Sequence, residues 1–199
     1  MDNLSVFAGV KEENSMNKHP EITMQTKKNL IDAFWQIYCE KRIEKITVKD
    51  ITTKAGYNRG TFYEYFKDVY DVLEQLENSV LPNLSTHHKI TILTERELVL
   101  HFNQFSKIYQ ERCNYYGVLL GDNGDPSFQG KLKNVFRPLL KQLFSNHNTE
   151  DDFVIEYKIE YVLSTLIWVF HYGYGQGNNP PIEKIVQLMY RFMFNGVIK

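Results

Sequence analysis

The chain has 199 residues, of which 43% are hydrophobic, enough for a sizeable core and one or two domains. Its 23 Lys and Arg nearly balance 24 Asp and Glu, a net charge of −1, which excludes a polybasic protein that coats nucleic acid or anionic membranes. Two cysteines, Cys39 and Cys113, give neither a disulfide framework nor a metal-ligand spacing. No basic flank followed by an apolar run opens the sequence, and the most apolar stretch, Val162 to Phe170, is about half a membrane span. A cytoplasmic protein without a membrane partner is expected.

Residues 1–24 lack periodicity and read as a flexible arm. From Thr26 the pattern is helical, with Leu30, Phe34, Ile37 and Tyr38 on one face. KRIEKIT closes that helix and leads into another. Val72, Leu73, Leu76 and Val80 form a further amphipathic stripe over 69–80, closed by Pro82. A long helix is predicted over roughly 94–118, carrying Leu98, Phe102, Phe105 and Tyr109. GDNGDP is a turn, with Pro126 in the first turn of a helix reaching about Phe144 that Pro138 should bend or split. An apolar helix from about 153 to 172 and a last one from Pro180–Pro181 to Asn195 complete the chain. Alternating β-branched runs are rare, so the fold is predicted all-α with about nine helices.

The sharpest local signal is TVKDITTKAGYNRGTFYEYF, residues 47–66. Thr47 and Asp50 have the spacing of a capping box. Gly56 stands where the helix must stop, because it tolerates the left-handed conformation. Asn58 can cap the next helix, whose Phe62 and Phe66 point inward. Two short helices joined by a Gly-containing turn make a helix-turn-helix. Residues 27–67 hold nine basic and five acidic groups, a local +4, so the rest of the chain carries −5. Such a face suits phosphate contact. Arg59 can read guanine, and Thr61 and Tyr65 can meet base edges, while Thr47, Tyr63 and Lys67 are placed to grip phosphates.

The pattern TVKDITTKAGYNRGTFYEYFKD resembles the DNA-binding signature of the tetracycline-repressor (TetR-like) family of transcriptional regulators, over residues 27–73. Many members carry Lys where this chain has Val69, and that Lys contacts phosphate. A weaker resemblance continues through YYGVLLGDNGDPSFQGKLKNVF and the C-terminal helices, toward the subgroup that includes dihydroxyacetone kinase operon regulators and coactivators. The resemblance implies a DNA-binding domain at 25–70 and a helical dimerisation and effector domain at 71–199. It also implies a homodimer on palindromic double-stranded DNA, acting as a repressor modulated by a small molecule. Its DNA-binding positions are Thr47, Asn58, Arg59, Gly60, Thr61, Tyr63, Tyr65 and Lys67.

The helix at 153–172 has apolar groups around much of its circumference, more than one monomer readily covers. Tyr157, Tyr161 and Leu166, with Ile185, Leu188, Met189 and Phe192 of the last helix, are therefore expected in a dimer interface. A ligand pocket is expected among Phe102, Phe105, Tyr109, Cys113, Tyr116, Trp168, His171 and Tyr172. GYGQG lacks the spacing of a phosphate loop, and the histidines form no metal pattern, so neither enzyme activity, cofactor nor metal is expected. The alternative is a coactivator or protein-interaction module with weak DNA recognition, suggested by Val69 and by Glu64 in the recognition segment.

Overall fold

The structure, a computed structural model, describes residues 20–82, 111–112, 114–147, 151–175 and 182–195. The described residues are helical with no strand, as the sequence predicts. The chain divides into two compact units, residues 1–80 and 81–199.

In the first unit, α1 (Pro20–Tyr38) leads through a single 3-10 turn (Ile43–Lys45) to α2 (Val48–Ala55), α3 (Arg59–Tyr63) and α4 (Val69–Val80). The helical start at Pro20 takes residues 20–24 out of the predicted arm. Proline suits a first helical turn, where its missing N–H has no intrahelical partner, and Glu21 complements the positive helix end. One face of α1 buries Leu30, Ile31, Phe34, Ile37 and Tyr38, and both α2 and α4 pack on this helix. Val69, Val72, Leu73, Leu76 and Val80 supply the buried stripe of α4. Val69 thus stands in the apolar core, only 7% exposed.

The second unit holds a helical stretch at 114–119, then α5 (Pro126–His147), α6 (Asp152–Gly175) and α7 (Ile182–Asn195). The Asp125 carboxylate accepts from the Ser127 N–H at 2.8 Å and starts α5, just before its first-turn proline. Pro138 does not split α5, which is one helix on both sides of it. Removing one backbone bond there costs about 3 kcal/mol. Phe128, Leu132 and Leu140 are buried on either side of the proline and offset that cost. Lys133, Arg137 and Lys141 add an ion ladder to Glu156 and Glu160 of α6. The Lys133 ammonium bonds Glu160 and holds its carboxyl below the usual carboxylate range. Ile155, Ile159, Val162, Leu163, Leu166 and Ile167 form the buried side of α6, against which α5 and α7 pack.

Candidate nucleic-acid interface

The Thr47–Asp50 box closes in both directions. The Asp50 N–H donates to Thr47 Oγ1 at 3.2 Å, and the Thr47 N–H donates to Asp50 Oδ2 at 2.9 Å. The Thr47 hydroxyl donates to the same carboxylate oxygen at 2.7 Å, so its proton already serves the cap. These bonds hold the Asp50 carboxyl below its ordinary value, helped by nearby Lys41 and Lys49. A depressed carboxylate contributes stability above its unfolded value, about pH 3.9, and loses it as pH falls through the folded value. Thr47→Ala removes the cap and should therefore lower the unfolding free energy at pH 7. In denaturant titrations the difference from the parent protein should shrink below pH 4.

Gly56 ends α2 with φ 75°, in the left-handed region, and its N–H donates to the Thr52 carbonyl. Two residues later Asn58 Oδ1 accepts from the Thr61 N–H at 2.8 Å and from the Thr61 hydroxyl at 3.3 Å. A Cβ on Gly60 would stand 3.1 Å from that same Asn58 oxygen, so the glycine leaves the cap its room. Helix α3 has five residues, a length far too short to be stable alone. Phe62 and Phe66, 0% and 2% exposed, anchor the segment with ring centroids 5.4 Å apart.

Anchoring those two rings inward leaves Arg59, Tyr63, Glu64 and Lys67 exposed, with Thr61 and Tyr65 half-buried. Arg59 opens α3 at its positive end, where a cation is unfavourable, so local folding does not ask for it. Neither Arg59 nor the Lys67 ammonium has an ion-pair partner among the described residues. The first turn of α4 is supplied internally: Asp68 Oδ1 accepts from the Asp71 N–H, and Asp71 Oδ2 from the Lys67 N–H, both at 2.8 Å. With Val69 buried, the side-chain cation nearest this turn in sequence is Lys67.

The other candidate residues fall differently. Trp168 and Tyr172, expected in a pocket, are 62% and 68% exposed. They share a face of α6 with Phe153, Tyr157 and Tyr161, each at least 60% exposed. Spacings of four, four, seven and four residues confine the five rings to an arc of about 100°. Tyr116 is buried against Phe128, ring centroids 6.2 Å apart. The His171 ring stands edge-on to Trp168, and its Nδ1 is buried without a hydrogen-bond partner among the described residues. Leu166 of α6 and Met189 of α7, expected at a dimer face, are buried within the unit. Leu188 is exposed, and Ile185 and Phe192 are half-buried. Phe102, Phe105, Tyr109 and Cys113 lie outside the described residues. The described residues contain no group of three or more His, Cys, Asp or Glu able to hold a metal ion, and no helix long and apolar enough to cross a membrane.

No protein-family model and no curated protein matches the chain. Solved structures do. A TetR transcriptional regulator from Streptococcus agalactiae 2603V is 22% identical, covering 87% of this chain and 96% of its own, with a TM-score of 0.62. The fatty acid degradation regulator FadR from Bacillus halodurans is 18% identical over 92% and 99%, with a TM-score of 0.56. The dihydroxyacetone kinase operon activator DhaS is 18% identical over 87% and 97%, with a TM-score of 0.54. At these identities the likeness is one of fold, and the chain shares the two-part helical fold of these solved regulators.

Proposed function

We propose that the chain is a non-enzymatic, DNA-binding transcriptional regulator that acts as a homodimer on a two-fold symmetric duplex. The observation that carries this reading is the doubly capped helix-turn-helix, with Phe62 and Phe66 buried and Arg59, Tyr63 and Lys67 facing outward. One α3 per protomer would enter the major groove, Arg59 and Thr61 meeting bases and Tyr63 and Lys67 meeting phosphates. The fold shared with two solved regulators and one solved operon activator supports it. A small molecule held in the second unit would modulate binding by favouring one spacing of the two recognition helices, and the regulator would act as a repressor.

Selection of duplexes from a random library at low salt tests this directly. A two-fold symmetric motif should be enriched, with affinity falling steeply as salt rises. Arg59→Ala should weaken the selected duplex by about ten- to a hundredfold while leaving dimerisation intact. Absence of any enriched motif would instead favour a coactivator that docks on a partner protein, the reading to which exposed Glu64 and buried Val69 lend support.

A further inference from the structure

Helix α1 reaches both ends of the recognition segment with polar groups. At the leading end, Asn29 Nδ2 donates to Tyr57 Oη at 2.9 Å, across 28 residues of sequence. Gln25 Nε2 donates to Asn29 Oδ1 at 2.7 Å and fixes which way that carboxamide points. Tyr57 stands between the left-handed Gly56 and the capping Asn58, so its ring is attached where the chain turns into α3. At the trailing end the Lys27 ammonium lies 5.9 Å from the Phe66 ring centroid.

The two buried rings anchor the segment on one side, and the ends of α3 are tied separately. A five-residue helix has too few internal bonds to define its own axis, so its direction is set by what its ends are tied to. The half-buried Tyr57 ring could pack without its hydroxyl. The hydroxyl adds a directional bond, and that bond is made to α1, the longest helix of this unit.

We propose that Asn29 and Tyr57 are positioning residues: their hydrogen bond sets the direction in which α3 presents Arg59, Thr61 and Tyr63, and so governs discrimination between base sequences. This rests on the DNA-binding reading above. Contacts to bases demand alignment, whereas attachment to phosphates depends mainly on the number of cations. Losing the bond therefore lowers specific affinity and spares non-specific attachment.

The test uses the full chain, with Tyr57→Phe, Asn29→Ala and the double variant, against a selected duplex and a scrambled one at several salt concentrations. Thermal unfolding is followed alongside. Each single variant should bind the selected duplex about five- to tenfold more weakly, on the scale of one lost hydrogen bond. Binding to the scrambled duplex should stay within about twofold, with an unchanged salt slope. The double variant should be no weaker than either single one, because both remove the same bond. Equal losses on both duplexes, additive losses, or lower thermal stability with unchanged discrimination would each overturn the assignment. Tyr57→Phe keeps the ring, so it remains informative if Asn29→Ala folds poorly. Failure of the parent protein to prefer any sequence overturns the DNA-binding reading as well; intact preference in every variant overturns only the positioning pair.

Discussion

Acidic residues placed on the aromatic face of α6, as in Tyr161→Glu with Trp168→Glu, are expected to convert the proposed homodimer into a folded monomer of 23.5 kDa. Phe153, Tyr157, Tyr161, Trp168 and Tyr172 are all at least 60% exposed on one side of a helix whose opposite side is fully engaged. Each large aromatic ring brings on the order of 100 Å² or more to such a face, so the stripe presents roughly 600 Å² per protomer. That is the top of the range, about 300–600 Å², for the largest apolar patch on a typical monomer, and such patches are often functional. Pairing the stripe with itself about a two-fold axis would bury about 1,200 Å², the lower bound of a stable interface. Central Trp and Tyr side chains contribute most in interfaces of this kind, about 2 kcal/mol or more each. Two buried carboxylates facing their symmetry mates would add desolvation and repulsion to that loss. Sedimentation at micromolar concentration should give twice the chain mass for the parent protein and the chain mass for the variant, with helical content unchanged. A monomeric parent, or a dimeric variant, would exclude this face as the interface. The monomer should also lose affinity for a symmetric duplex while retaining weak binding to a half-site, since the second recognition helix no longer arrives with the first.

Local chemistry was the legible part of this fold. Thr47, Asp50, Gly56 and Asn58 each perform in the structure the task their residue type suggests, because caps and left-handed turns are decided within four residues. The inward Phe62 and Phe66 follow from the same register. Interactions across the sequence were not legible. The Asn29–Tyr57 bond joins two residues that carry no pattern in common, and nothing in the periodicity of α1 marks Asn29 as other than a surface residue. In α6 apolar residues surround the helix, so spacing alone could not separate the buried Ile159 and Leu166 from the exposed Tyr157 and Trp168. Which face a neighbour covers is decided by α5, which packs on α6 and carries the ion ladder to it, and by α7, which packs on it as well. Pro138 shows the same limit: a local rule predicts a break, and packing on both sides of it keeps the helix whole.

Phe62→Ala should abolish DNA binding by unfolding the recognition segment, and should do so while the second unit stays folded. The Phe62 ring is 0% exposed, edge-on to Tyr63 at 5.5 Å and tilted against Phe66 at 5.4 Å. Truncating a buried Phe to Ala costs about 3–5 kcal/mol through lost burial and the cavity left behind. Small domains have total stabilities toward the lower end of about 5–15 kcal/mol, so the loss consumes most of what the first unit has. Helix α3 is the element most exposed to that loss, because its five residues add only the Asn58 cap and about one turn of backbone bonds of their own. Hydrogen exchange should therefore show protection disappearing across α2 and α3 first and weakening in α1, with α5 and α6 unaffected. Phe62→Leu provides the comparison: it keeps most of the apolar volume, should cost about 1–1.5 kcal/mol, and should retain measurable binding to the selected duplex. A Phe62→Ala protein with native protection in α3 would mean that the segment is held by something other than its buried rings. Equal loss of protection in α5 and α6 would mean that the two units unfold as one.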